Sequence, residues 1–191
     1  QPKISIFGEV EPAREAQLRT ILSGRVATLN PQFKNGIFVK KGTELLTIER
    51  TDYEHHATEK RAELLHSEAV LRELKFEKEF EQELQKNSAK QVSLALRALE
   101  RTMKLAASGK ESQKATDDAE SKLAGTEKEK LLREQKIARL ESRIRQQVAL
   151  HEKATATLAL AEQTLSDTLV IAPFDGYAAN VKLALGQLLS A

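Results

Sequence analysis

The chain has 191 residues, of which 40% are apolar, 30% charged and only 4% aromatic, so it is poor in large core anchors and rich in solvated helical surface. Its 30 basic and 28 acidic residues are interspersed and leave a net charge of +2, which is the pattern of solvated faces and excludes a basic nucleic-acid footprint. The absence of cysteine excludes a disulfide framework, a thiol nucleophile and a Cys-based zinc site, and no run reaches the ~18 to 20 apolar residues that span a bilayer.

In chain order, Lys3–Phe7 and Ala16–Ile21 alternate as strands do, with Gly8 and Pro12 between them. From Ser23 the β signal sharpens. Gly24-Arg-Val26 opens a strand, Asn30-Pro31 turns, and Gly36 through Leu45 is a β-turn-β pattern that leads into Leu46-Thr-Ile48. Thr51-Asp-Tyr-Glu54 then has the spacing of a capping box, with Thr51 serving the Glu54 amide.

The stretch from Thr51 to Asp167 holds no proline and only two glycines, Gly109 and Gly125, which is the composition of long helices. Ala57, Leu64 and Leu71 lie seven apart, as do Val92, Leu99 and Ala106, the seam expected of a coiled coil. Lys78 and Gln85 interrupt that series. Phe76, Phe80 and Leu84 are expected to carry the apolar stripe between its halves, shifting its phase. On the returning arm Ile137, Ile144, His151, Leu158 and Leu165 form one heptad series, with Leu140, Ala154 and Ala161 as its companion. Between the arms, Ser108 to Ser112 breaks the helix: Gly109 suits a left-handed position past a helix end, and Ser112 suits the N-cap of the next helix. The expectation is an antiparallel hairpin with its tip near 107–112. The competing reading, a free-standing coiled-coil scaffold, needs one uninterrupted helix through that break.

Past Asp167 the β pattern returns, with Leu169–Pro173, Gly176, a strand through Val181 to Leu183, and Gly186–Leu189. It repeats the first one, since Gly42-x-x-Leu45 reappears as Gly186-x-x-Leu189. The fold class expected is α+β, two β half-motifs forming one small β-sandwich into which a long two-helix coiled-coil hairpin is inserted. Val26, Val39, Leu45, Ile48, Ile171, Val181 and Leu189 are the expected core, with Gly24 and Gly176 close in space. The expected division is 1–15, a stray β segment; 16–50, the first β half; 51–167, the hairpin; and 168–191, the second half.

Ser23-Gly-Arg-Val26, Gly36-x-x-Val39-Lys-Lys-Gly42-x-x-Leu45 and Thr168-Leu-Val-Ile-Ala-Pro-Phe-Asp-Gly176, bracketing a heptad hairpin, resemble the periplasmic adaptor, or membrane fusion protein, family of tripartite efflux pumps. The resemblance covers nearly the whole chain and implies a lipoyl-like β-sandwich split by the hairpin. It also implies that the chain is an elongated fragment, lacking most of the family's β-barrel and membrane-proximal domains. Arg101, Leu105 and Ser112 have the spacing seen at the tips of adaptors of resistance-nodulation-division pumps, where the motif engages the outer-membrane duct. By resemblance the partners are an inner-membrane transporter, an outer-membrane channel protein and further copies of the chain in a ring or tube. The location is the periplasm of a Gram-negative bacterium, with tethering to the inner membrane by an anchor outside this chain. An adaptor for an ATP-driven export system is the nearest variant of this reading.

The residues offer little for chemistry. A carrier lysine needs the lipoyl halves joined directly at a tight turn, and neither Lys40-Lys41 nor Lys182 stands in one. His55 and His66 lie nearly three helical turns apart without further ligands, His151 falls in the seam, and Met103 is the single methionine. No enzyme, cofactor or metal centre is expected, and no nucleic-acid partner.

Overall fold

The computed structural model describes residues 14–18 and 20–190. The strand expected over Lys3–Phe7 lies outside them, as does nearly all of the stray segment assigned to 1–15. The elements run β1 (Gly24–Leu29), β2 (Phe38–Val39), β3 (Glu44–Ile48), α1 (Thr51–Ala107), α2 (Gln113–Ser166), β4 (Leu169–Ile171), β5 (Gly176–Tyr177) and β6 (Leu188–Leu189). The chain divides into two compact units, one of residues up to His55 with those from Glu162 on, the other of His56–Ala161.

In the first unit, four strands pair in the order β4-β3-β1-β6 and two more pair as β2-β5. All pairings are antiparallel, and each one except β1 with β3 joins a strand before the helices to one after them. The two sequence halves therefore complete one split β unit. The repeated Gly-x-x-Leu shows why they fit. Gly42 and Gly186 both take φ near +80°, open to glycine at little steric cost. The Gly42 N–H donates to the Ala172 carbonyl and the Gly186 N–H to the Val26 carbonyl, at 2.8 and 2.9 Å. Ala172 N–H returns a bond to Thr43, and Val26 N–H returns one to Gln187. Each half thus uses the same turn to clamp the other's strand.

Val26, Leu46 and Ile48 are buried together, with Leu22, Leu29, Val170, Leu183 and Leu189 packed around them. Of the expected core, Val26, Leu45 and Ile48 are buried, while Val39, Val181 and Leu189 are half-buried. Ile171 is exposed. It stands opposite Glu44 on an edge strand, where alternation turns Val170 to the core and Ile171 outward. An irregular register between Glu44 and Leu46 accounts for the burial of the consecutive Leu45 and Leu46. Gly24 and Gly176 fall in different sheets, level with Leu189 and Val39 respectively.

Two expected strands are absent among the described residues. The part of Ala16–Ile21 that is described has no strand. Val181–Leu183 is not a strand either. Asn180 takes a left-handed φ of 56°, and the Val181 N–H donates to the Asn35 carboxamide at 2.6 Å instead of to a ladder neighbour.

The second unit holds most of both helices, antiparallel and locked side chain to side chain. Gln147 bonds Ser67 at 3.1 Å, Lys78 meets Glu141 at 2.9 Å and Gln85 bonds Glu134 at 3.4 Å, so positions rise on α1 as they fall on α2. The helix begins one residue earlier than a Thr51 cap requires. Thr51 is already helical, the Glu54 N–H donates to the Arg50 carbonyl at 2.8 Å, and the Glu54 carboxylate reaches the Arg50 guanidinium at 3.5 Å. The Glu49 N–H still donates to Arg25, so the sheet holds the chain up to the residue before the turn into α1.

The seam keeps one phase, contrary to the expected shift. Ser67, Leu74, Glu81, Ser88 and Ala95 are buried at intervals of seven, and Leu64, Leu71, Lys78, Gln85, Val92, Leu99 and Ala106 are half-buried beside them. Lys78 and Gln85 are members of the seam because α2 supplies their partners. Phe76 and Phe80 face solvent. At mid-seam Glu81, only 3% exposed, takes Lys136 at 2.7 Å and Arg133 at 3.1 Å, and Lys136 also meets Glu77 at 3.2 Å. The Lys136 hydrogen bond, opposed by burial and helped by Arg133, holds the Glu81 carboxyl below its ordinary value. Lys136 is correspondingly raised by its bonds to Glu81 and Glu77.

Candidate partner-binding site at the hairpin tip

The tip is built from two caps. Gly109 takes φ +69°, and its N–H donates to the Ala106 carbonyl at 2.9 Å while the Lys110 N–H donates to the Leu105 carbonyl at 3.0 Å. That pair of bonds is a Schellman ending, which satisfies carbonyls left free by the last turn of α1. The Leu105 carbonyl also accepts from the Ser108 hydroxyl at 2.8 Å. Three residues later the Ser112 Oγ accepts the Ala115 N–H at 3.3 Å, the N-cap expected of it. Its own hydroxyl hydrogen stays free to donate outward. Gln113, the first residue of α2, bonds Asp117 one turn further on at 3.0 Å.

Arg101, Leu105 and Ser112 are all exposed. Arg101 and Leu105 are one turn apart on the same helix, and Ser112 opens the other arm across a five-residue link. Arg101 forms no ion pair within the chain among the described residues. The arrangement presents an exposed guanidinium, an isobutyl group and a hydroxyl near the turn, a set suited to carboxylates or helix-end carbonyls of a protein partner. Met103 adds exposed apolar surface on another side of the same helical turn; its lone occurrence invited only a comparison with metal-binding clusters. Among the described residues no group of three or more His, Asp or Glu is placed to hold a metal ion, and no helix is long and apolar enough to cross a membrane.

No protein-family model and no curated protein sequence matches the chain. Solved structures do. MacA from Actinobacillus actinomycetemcomitans aligns over 94% of this chain with a TM-score of 0.51 and 21% identity. The chain has the MacA fold. It spans 46% of the MacA chain, so the fold likeness concerns under half of that protein. Two further solved chains align over 93% of the sequence at TM-scores too low to establish a common fold. They are the periplasmic adaptor protein EmrA (0.44, 19% identity, 69% of that chain) and the soluble domain of LipC, a membrane fusion protein of a type I secretion system (0.48, 14% identity, 96% of that chain).

Proposed function

We propose that this chain is the hairpin and lipoyl-like part of a periplasmic adaptor that joins an inner-membrane transporter to an outer-membrane exit duct. The observation that carries the reading is a split β unit whose halves clamp each other through matched turns, interrupted in sequence by an antiparallel hairpin ending in a doubly capped tip. The likeness to MacA supports the fold on which it rests, and the half-motifs around Gly24–Leu45 and Thr168–Gly176 supply the family resemblance. Arg101, Leu105 and Ser112 are the duct contact in this reading. The adaptor does no chemistry. Its work is mechanical: α1 with 57 residues is roughly 85 Å long at 1.5 Å per residue, a span on the scale of a periplasmic gap. Copies assemble into a ring or tube around the exported compound. The tip spacing favours a resistance-nodulation-division transporter over an ATP-driven one, and the residue division 1–15, 16–50, 51–167 and 168–191 follows the same reading.

Arg101→Asp tests it, because an exposed residue with no internal ion pair can be reversed in charge without disturbing the seam. In cells lacking the native gene, the variant is expected to lose export while its helical circular dichroism and melting curve match wild type. Equal tolerance of exported toxic compounds at matched expression removes the tip from the site.

A further inference from the structure

The seam between α1 and α2 changes character near its middle. With the level of the arms set by the Ser67–Gln147 and Gln85–Glu134 bonds, Leu71 and Leu74 lie level with Ile144 and Leu140, and Val92 and Ala95 with Leu123 and Ala119, all of them buried or half-buried. Between these two apolar stretches, among the described residues, Leu84 is the one apolar side chain withdrawn from solvent over 78–88 and 126–136. The segment closes through polar contacts instead: Lys78 with Glu141 at 2.9 Å, Glu81 with Lys136 and Arg133 at 2.7 and 3.1 Å, and Gln85 with Glu134 at 3.4 Å. Such pairs do little more than offset the desolvation they incur, whereas apolar side chains of similar size stabilise outright. Ser88 and Thr126 turn their hydroxyls back to the Leu84 and Leu123 carbonyls of their own helices, at 3.1 and 2.8 Å, a bond that weakens a helix rather than joining two.

Gly125 adjoins this block inside α2. A Cβ there would meet nothing within 4 Å, so no contact calls for glycine, which is second only to proline in weakening a helix interior. Both ends of the hairpin are closed by other means. β3 leads into α1 and β4 leaves α2, and those strands pair; at the far end the capped tip joins the arms. Register is thereby set without the charged layer. We propose that 78–88 and 125–136 form an opening point built into the hairpin, where the arms part and locally lose helix while the apolar stretches on either side stay closed. Short polar helices are marginal once parted, and local opening follows low apolar burial. Each opening delivers Glu81, Arg133 and Lys136 to water and lets the arms bow apart without changing register. It is a property of the hairpin alone and stands whatever the tip binds.

Hydrogen–deuterium exchange of the intact chain at neutral pH, read by mass spectrometry, tests it. Peptides within 78–88 and 125–136 are expected to exchange about tenfold faster or more, after correction for intrinsic rates, than those within 64–74, 92–99 and 137–148. Protection that is even along the arms, or that falls steadily from the first residues of α1 to the tip, overturns the proposal. Apolar replacement of the layer should close it. Glu81→Leu/Arg133→Leu, in which Lys136 keeps Glu77 at 3.2 Å, is expected to slow exchange over 78–88 and 126–136 by about tenfold and to leave 64–74 unchanged. Gly125→Ala, which alters no seam contact, should slow the peptide around it roughly threefold or more, and it decides alone if the double variant is less helical by circular dichroism. Mid-hairpin exchange at the wild-type rate in a fully helical variant of either kind overturns the opening point.

Discussion

A carboxylate as inaccessible as Glu81 stays ionised only where cations reach it, and Lys136 and Arg133 do so at 2.7 and 3.1 Å. Because its folded pKa lies below the ordinary glutamate value of 4.5, its contribution to stability is full above that value and is lost as pH falls through the lowered one. Wild type should therefore lose more melting temperature between pH 7 and pH 3 than Glu81→Gln does; equal losses would show that the cluster is not coupled to folding. In the sequence a glutamate at a seam position looks like an interruption. Its meaning depends on Arg133 and Lys136 arriving from a helix fifty residues away, which no local pattern reports. Gly24 is the opposite case, flagged by sequence as a strand opener and fixed in the structure by contact. A Cβ there would run into Cγ2 of Ile48, a fully buried side chain. Gly24→Val should cost about 1–3 kcal/mol by overpacking, measured by urea unfolding, whereas an unchanged midpoint would mean that Ile48 can move aside.

Elements were legible where local chemistry decides them. The helix break at Gly109 and the Ser112 cap needed only residue types, and the tip geometry agrees with both. Gly109→Ala meets nothing within 4 Å, so its cost is that of a side chain at a left-handed φ alone, about 1–2 kcal/mol. A loss above roughly twice that in equilibrium unfolding would mean that the turn is held by contacts the caps do not explain. Elements were misread where a distant partner decides them. Phe76 and Phe80 fit a helical stripe but lie on its solvent side, since the seam ran on through Lys78, Glu81 and Gln85 once α2 supplied their partners. Val181–Leu183 alternates like a strand, yet Asn180 bends the chain and Asn35 captures the Val181 N–H. Ile171 has the right residue type for a core and the wrong parity on its edge strand.

At the scale of the molecule, the repeated half-motif carried the most information, because two copies of one turn separated by more than a hundred residues imply a domain closed by its own ends. The Gly42–Ala172 and Gly186–Val26 bonds realise that relation in the backbone. In the proposed reading, what the tip binds is a property of a second protein, and for that the sequence singled out Arg101, Leu105 and Ser112. The most direct measurement is therefore contact in the cell. A photo-crosslinking amino acid at Leu105 should, in the proposed reading, yield one discrete adduct whose mass spectrum identifies an outer-membrane duct protein. Arg101→Asp in the same protein should abolish it. Adducts that arise equally with Arg101→Asp, or that contain no outer-membrane protein, would contradict an adaptor working through its tip.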